Sequence, residues 1–165
     1  VRQIVIEENL YQQKSESRLI NEFGCIKNRL EALPEELRKM MVTADIKTAK
    51  LIAFVGCMAS DKLLFDLMYE VYRDKLYMGG TNITDADLNI FFKDKQDQND
   101  KVAAITDVSI KKLKQVYCKY MMEAGLLTGK VSEKTIVKPY VEPELRYALQ
   151  RNAMDRYLAA LTGER

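Results

Sequence analysis

Apolar residues recur at alternating spacings of four and three through most of this chain, the pattern of amphipathic α-helices. Leu19, Phe23, Ile26, Leu30 and Leu33 form one such stripe and predict a helix over 16–33, with Ser15 as its N-cap. A short helix over 1–9 precedes it, joined by the polar turn at 9–14. Pro34 suits the first turn of the next helix, where Glu35 and Glu36 complement the positive end of the dipole. Residues 46–59 are apolar nearly all round, which makes them the expected central helix. The next helix spans 61–77, with Leu64, Leu67, Met68 and Val71 facing inward, and Gly79-Gly80 closes it. Thr84 followed by Asp87 resembles a capping box and opens a helix to about residue 95. A polar turn leads to a short helix at 101–105 and a longer one at 107–124. Short helices follow Pro143 and cover 153–161. The pattern predicts an all-α protein in two subdomains, 1–80 and 81–165.

The segment 106–139 departs from this uniformity. Leu126 and Leu127 begin a strand, residues 128–135 are polar, and 136–137 begin a return strand, so a β-hairpin follows the 107–124 helix. Seven lysines face three acids over 106–140, a net of +4, whereas the whole chain carries +2. A short helix, a longer helix and a basic hairpin, in that order, outline a winged helix, a shape used to bind nucleic acid. At 100° per residue, Ile110, Leu113, Tyr117, Tyr120 and Ala124 lie within about 80° of one another and form the expected core face. Lys111, Lys112, Gln115 and Lys119 lie opposite, together with Cys118 and Met122, and Lys114 sits at the flank. Gly125 stands where a helix C′ glycine belongs. Lys130, Lys134 and Lys138 decorate the hairpin. Lysines can neutralise phosphates and Gln115 can offer a bidentate edge to adenine. The stretch has no arginine, so backbone contacts should dominate.

The N-terminal pair of helices resembles part of a helix-turn-helix. Ser15, Ser17 and Arg18 lie where a helix N-terminus favours phosphate. Residues 1–33 nevertheless balance five acids with five bases, so a plain amphipathic hairpin remains open. The chain contains no histidine, which removes imidazole metal sites and His-dependent nucleophiles. Cys25, Cys57 and Cys118 are odd in number and widely spaced, and they read as reduced core thiols of a cytoplasmic protein. The longest apolar run, 51–59, is far short of the roughly 20 residues that cross a bilayer. No glycine-rich phosphate loop is present, and the acidic residues fit helix starts and solvated faces. The expected protein is therefore not an enzyme and carries no cofactor or metal.

Several segments resemble a known family: EENLYQQKS at 7–15, IKNRLEALPEEL at 26–37, the run 45–76, ITDADLNIFFKDK at 83–95, and VSIKKLKQVYCKYMMEAGLL at 108–127. They are similar to BrxA, a small component of bacteriophage-exclusion (BREX) defence systems, over about 7–161. Family members usually carry further N-terminal residues, so this chain is expected to lack the first helix or two. The resemblance implies a helical bundle with a core like that of the RNA-binding antitermination factor NusB, an N-terminal helix-turn-helix and a C-terminal winged helix. It also implies binding of double-stranded DNA without enzymatic activity, in company with other BREX proteins; the short apolar run at 51–59, not the resemblance, argues against a membrane partner. Within matched motifs it points to Ser15, Arg18, Lys111, Lys112 and Lys114; the wing at 128–138 matches poorly, and its lysines rest on charge alone. Two alternatives stay open: a protein-interaction scaffold within the defence complex, and RNA binding through the core.

Overall fold

A computed structural model describes residues 1–130 and 133–164 of the chain. The hairpin tip at 131–132, part of the expected wing, lies outside the described residues, as does residue 165 at the end of the expected second subdomain.

The bundle is built around α4 (Ile46–Ser60), the helix expected to be central. Seven of its residues are buried, among them Leu51, Ile52, Phe54, Val55 and Met58. Asp45 caps it by accepting from the Lys47 and Thr48 amides. The Thr48 side chain, then the Thr48 and Lys47 amides, hold the Asp45 carboxyl below its usual range. Against α4 pack α2 (Glu16–Glu31) and α3 (Glu35–Thr43). The first helix, α1 (Arg2–Glu7), lies on α2. The α2–α4 approach is close because Gly56 has no side chain: a Cβ there would sit 2.8 Å from the Arg29 carbonyl oxygen and 3.2 Å from Leu33.

Asp61 then caps the next helix through the Leu63 and Leu64 amides. This helix is α5 (Lys62–Leu67), continuous through a π turn at Met68–Tyr72 with α6 (Arg73–Tyr77). The wider turn carries Tyr72 fully into the core, where its hydroxyl donates to the Val137 carbonyl at 2.6 Å. Gly79, at φ +74°, leads out of α6.

Strand β1 (Asn82–Ile83) comes next, followed by α7 (Asp85–Gln98), which has the expected Thr84–Asp87 capping box. The chain continues through α8 (Asp100–Ala103) and α9 (Asp107–Glu123) to a hairpin of β2 (Leu127–Lys130) and β3 (Glu133–Ile136). Strand β1 was not expected: two residues cannot display an alternation. It adds to the hairpin as a third antiparallel strand, in the order β1-β3-β2, with Ile83 opposite Lys134. Helices α10 (Pro143–Arg151) and α11 (Asp155–Thr162) close the chain against α3 and the π turn. One buried cluster runs from Leu33 to Leu161 and includes residues on both sides of the Gly79-Gly80 turn. The all-α expectation holds, with this small sheet as its only β element among the described residues.

Candidate nucleic-acid interface

Helix α9 starts from Thr106, whose hydroxyl accepts from the Ser109 amide, and ends at Gly125, whose φ is +76°. Ile110, Tyr117 and Met121 are buried, and Leu113, Tyr120 and Ala124 are half-buried on the same face. The Tyr117 hydroxyl donates to Asp61 at 2.8 Å, so the residue that caps α5 also anchors α9. Burial, and then this bond, push that hydroxyl well above the usual tyrosine range.

Two residues depart from the expected side. Cys118 is buried and Met122 packs on the core. Lys134 of β3 and Asp85 at the start of α7 lie near Cys118, whereas Met122 turns toward α4 beside Leu51. Cys25 departs in the opposite sense. It is exposed because it lies off the apolar stripe of α2, while Cys57 is half-buried. Only Cys118 fits the expectation of a buried thiol. Burial raises the thiols of both Cys57 and Cys118 above their ordinary range.

The basic residues separate into groups. Lys111, Lys112 and Gln115 are exposed on the outer face of α9, with no side-chain partner among the described residues. Lys119 is exposed and meets Glu123 at 3.6 Å, a surface pair of about 0.3–0.5 kcal/mol that phosphate could displace. Lys114 turns to the flank, donating to Asn89 at 2.6 Å with its ammonium over the Phe92 ring. In the hairpin, Lys130 is exposed. Lys134, expected as a wing contact, is instead 3% exposed and donates to Asp85 at 2.7 Å. It alternates inward on β3 opposite Ile83 and ties the hairpin to α7. Lys138 is exposed beyond β3, beside a cleft.

At the other end of the sequence, the Ser15 hydroxyl accepts from the Arg18 amide and serves as the α2 cap, while the Arg18 side chain is exposed. Helix α2 runs antiparallel to α4: Arg29 and Leu33 lie against Gly56, and Cys25 shares a hollow with Ser60 and Asp61. Helix α9 also runs antiparallel to α4, because Tyr117 meets Asp61 while Ala124 shares a cleft with Lys50 and Ala53. Arg29 Nη2 donates to the Tyr120 hydroxyl at 2.8 Å and joins the two outer helices directly. Arg18 and Lys111 therefore project toward the same end of the bundle. Lys47 and Lys50 at the cleft edge were missed, because 46–59 reads as apolar and its two exposed lysines carry no motif.

No group of acidic or cysteine residues that could hold a metal ion occurs among the described residues, and no helix there is long and apolar enough to cross a membrane.

Fold and surface together define a small helical protein that presents one basic helix and a short hairpin. A family model described as BrxA matches residues 1–153, and the chain belongs to the BrxA family. The BREX protein BrxA of Bacillus cereus (strain H3081.97) is 35% identical over 164 residues, covering 99% of this chain and 82% of that protein. A crystal structure of an uncharacterized protein from Magnetospirillum magneticum shares the fold, with a TM-score of 0.82 at 19% identity over 98% of this chain and 82% of that one.

Proposed function

We propose that this BrxA-family protein is a non-enzymatic double-stranded DNA-binding component of a BREX phage-defence system, acting in the cytoplasm beside other BREX proteins. The observation that carries the reading is the outer face of α9, where Lys111, Lys112 and Gln115 are exposed and uncommitted. Its setting supports it. The order β1, α7, α8, α9, β2, β3 with sheet order β1-β3-β2 follows the outline of a winged helix, which supports reading α9 as the recognition helix. Lys130 is exposed at the end of β2, and Arg18 lies at the same end of the bundle as Lys111. The phosphate contacts are assigned to Lys111, Lys112, Lys119, Lys130 and Arg18, with Lys114 and Lys134 as supports of the module. Helix α9 and the hairpin carry lysines and no arginine, which favours contacts to the backbone over base readout.

Titration of a labelled duplex at several salt concentrations tests this. Neutralising four or five phosphates gives a log–log slope of about −4. Binding that ignores salt, or no binding to duplex at all, would sink the reading. Structured RNA as competitor separates it from RNA binding by the helical core, since RNA that displaces duplex at low concentration would favour the core.

A further inference from the structure

We propose that the cleft between α4 and the C-terminal end of α9 holds one unpaired nucleotide, its phosphate against Lys47 and Lys50 and its base on Tyr140. The cleft measures about 550 Å³, within the roughly 300–1,000 Å³ typical of small-ligand sites. Leu51, Met122, Val137 and Pro139 give it an apolar floor. Tyr140 stands at its edge, 74% exposed, with no hydrogen bond or ring contact among the described residues.

The charges that line the cleft are unequal in availability. Lys47, Lys50 and Lys138 form no ion pair among the described residues, although Lys47 lies near Asp45 and Lys138 near Glu164. Of the three carboxylates, Asp45 accepts from helix amides and Glu123 faces Lys119. Counting Lys119 beside Glu123, four ammonium groups face three carboxylates, a net of +1 that leans toward an anion. Cations around an apolar floor with an exposed aromatic ring form the combination that binds single strands, where the backbone is neutralised while a base stacks. Paired bases inside a duplex cannot reach Tyr140, whereas a base in an unpaired strand can. A neighbouring hollow shares Lys50, Glu123 and Ala124 with the cleft and extends it toward Arg29. Lys119 borders it at Glu123. A strand leaving a duplex on the outer face of α9 would thus enter past Lys119. The route rests on the duplex-binding reading; the chemistry of the cleft does not, because a free nucleotide offers the same phosphate and base.

The test compares a blunt duplex with the same duplex bearing a short overhang that contains 2-aminopurine, using the whole chain. The expected result is overhang binding at least about fivefold tighter than blunt, with 2-aminopurine fluorescence quenched. Lys47→Gln/Lys50→Gln should remove both the preference and the quench while leaving blunt affinity within about twofold at physiological salt. Tyr140→Ala should remove the quench and Tyr140→Phe should keep it. Equal affinity for the two duplexes, or a quench that survives both the lysine pair and Tyr140→Ala, overturns the inference. Blunt binding without overhang preference defeats the cleft alone; quenching without blunt binding defeats the duplex reading and keeps the cleft. Adenosine monophosphate that displaces the overhang identifies a free nucleotide as sufficient ligand, and failure to displace it identifies the strand. Either result supports the site.

Discussion

Lys134 separates two readings of the wing. A wing lysine that touches phosphate would, on removal, lower the salt slope of DNA binding by about 0.9. The structure instead places it 3% exposed, with its ammonium 2.7 Å from an Asp85 that is itself 75% exposed on its side chain. Two substitutions at this pair should then differ in size. Lys134→Met keeps the buried aliphatic stem and also removes the cost of burying the ammonium, so the net loss should be about 1 kcal/mol or less. Asp85→Ala leaves the buried ammonium without its acceptor. Breaking a fully buried pair costs about 3–5 kcal/mol; because Asp85 is largely in water, about 1–3 kcal/mol is the appropriate range. At about 2–4 °C per kcal/mol for a chain of this size, Asp85→Ala should melt several degrees below Lys134→Met. Thermal unfolding of both variants, with duplex titration of Lys134→Met over a salt series, measures this. A Lys134→Met slope reduced by about one, or an Asp85→Ala variant no less stable than Lys134→Met, would refute the anchoring role.

Three further outcomes are expected. Gly56→Ala should destabilise by about 1–2 kcal/mol, since overpacking against Arg29 and Leu33 (about 1–3) exceeds the helix-propensity gain of about 1; a neutral result in urea unfolding would show that α2 can move away from α4. The Tyr72 hydroxyl, through burial, and the Tyr117 hydroxyl, through burial and then Asp61, titrate above the ordinary value of 10.0 in the folded state. Their contribution is thus intact below about pH 10 and falls as pH rises beyond it, so urea midpoints should drop between pH 8 and pH 11, less steeply in Tyr72→Phe/Tyr117→Phe. Equal steepness in both proteins would contradict this. A thiol reagent should modify Cys25 at once, Cys57 slowly and Cys118 only on unfolding, read by mass spectrometry of peptides; early modification of Cys118 would contradict its burial in the core.

The parts of the fold that were legible in the sequence depend on neighbouring residues. The all-round apolar run of α4, the Thr84–Asp87 box and the stop at Gly125 are written within a few positions of one another. What was hidden depends on distant partners. Strand β1 is recognisable only through β3, about 50 residues further on, and without it nothing indicates that Cys118 is covered. The same gap explains Lys134: its charge marks it as a wing contact, but its acceptor Asp85 is 49 positions away. Helical periodicity placed Lys111, Lys112 and Gln115 on the exposed side of α9, and the structure leaves them there. Periodicity could not show that Lys114 reaches Asn89, or that Lys47 and Lys50 border a cleft completed by the segment around Tyr140.

The central claim is that the outer face of α9 holds nucleic acid. Duplex binding by a Lys111→Glu/Lys112→Glu variant, measured beside the unaltered chain over a salt series, tests it most directly. Both residues are exposed and unpartnered among the described residues, so far-ultraviolet circular dichroism and the melting temperature should be unchanged. The account predicts that duplex affinity falls by at least about a hundredfold at low salt and that residual binding has a slope shallower by about two. A folded variant that binds duplex as the unaltered chain does would contradict it.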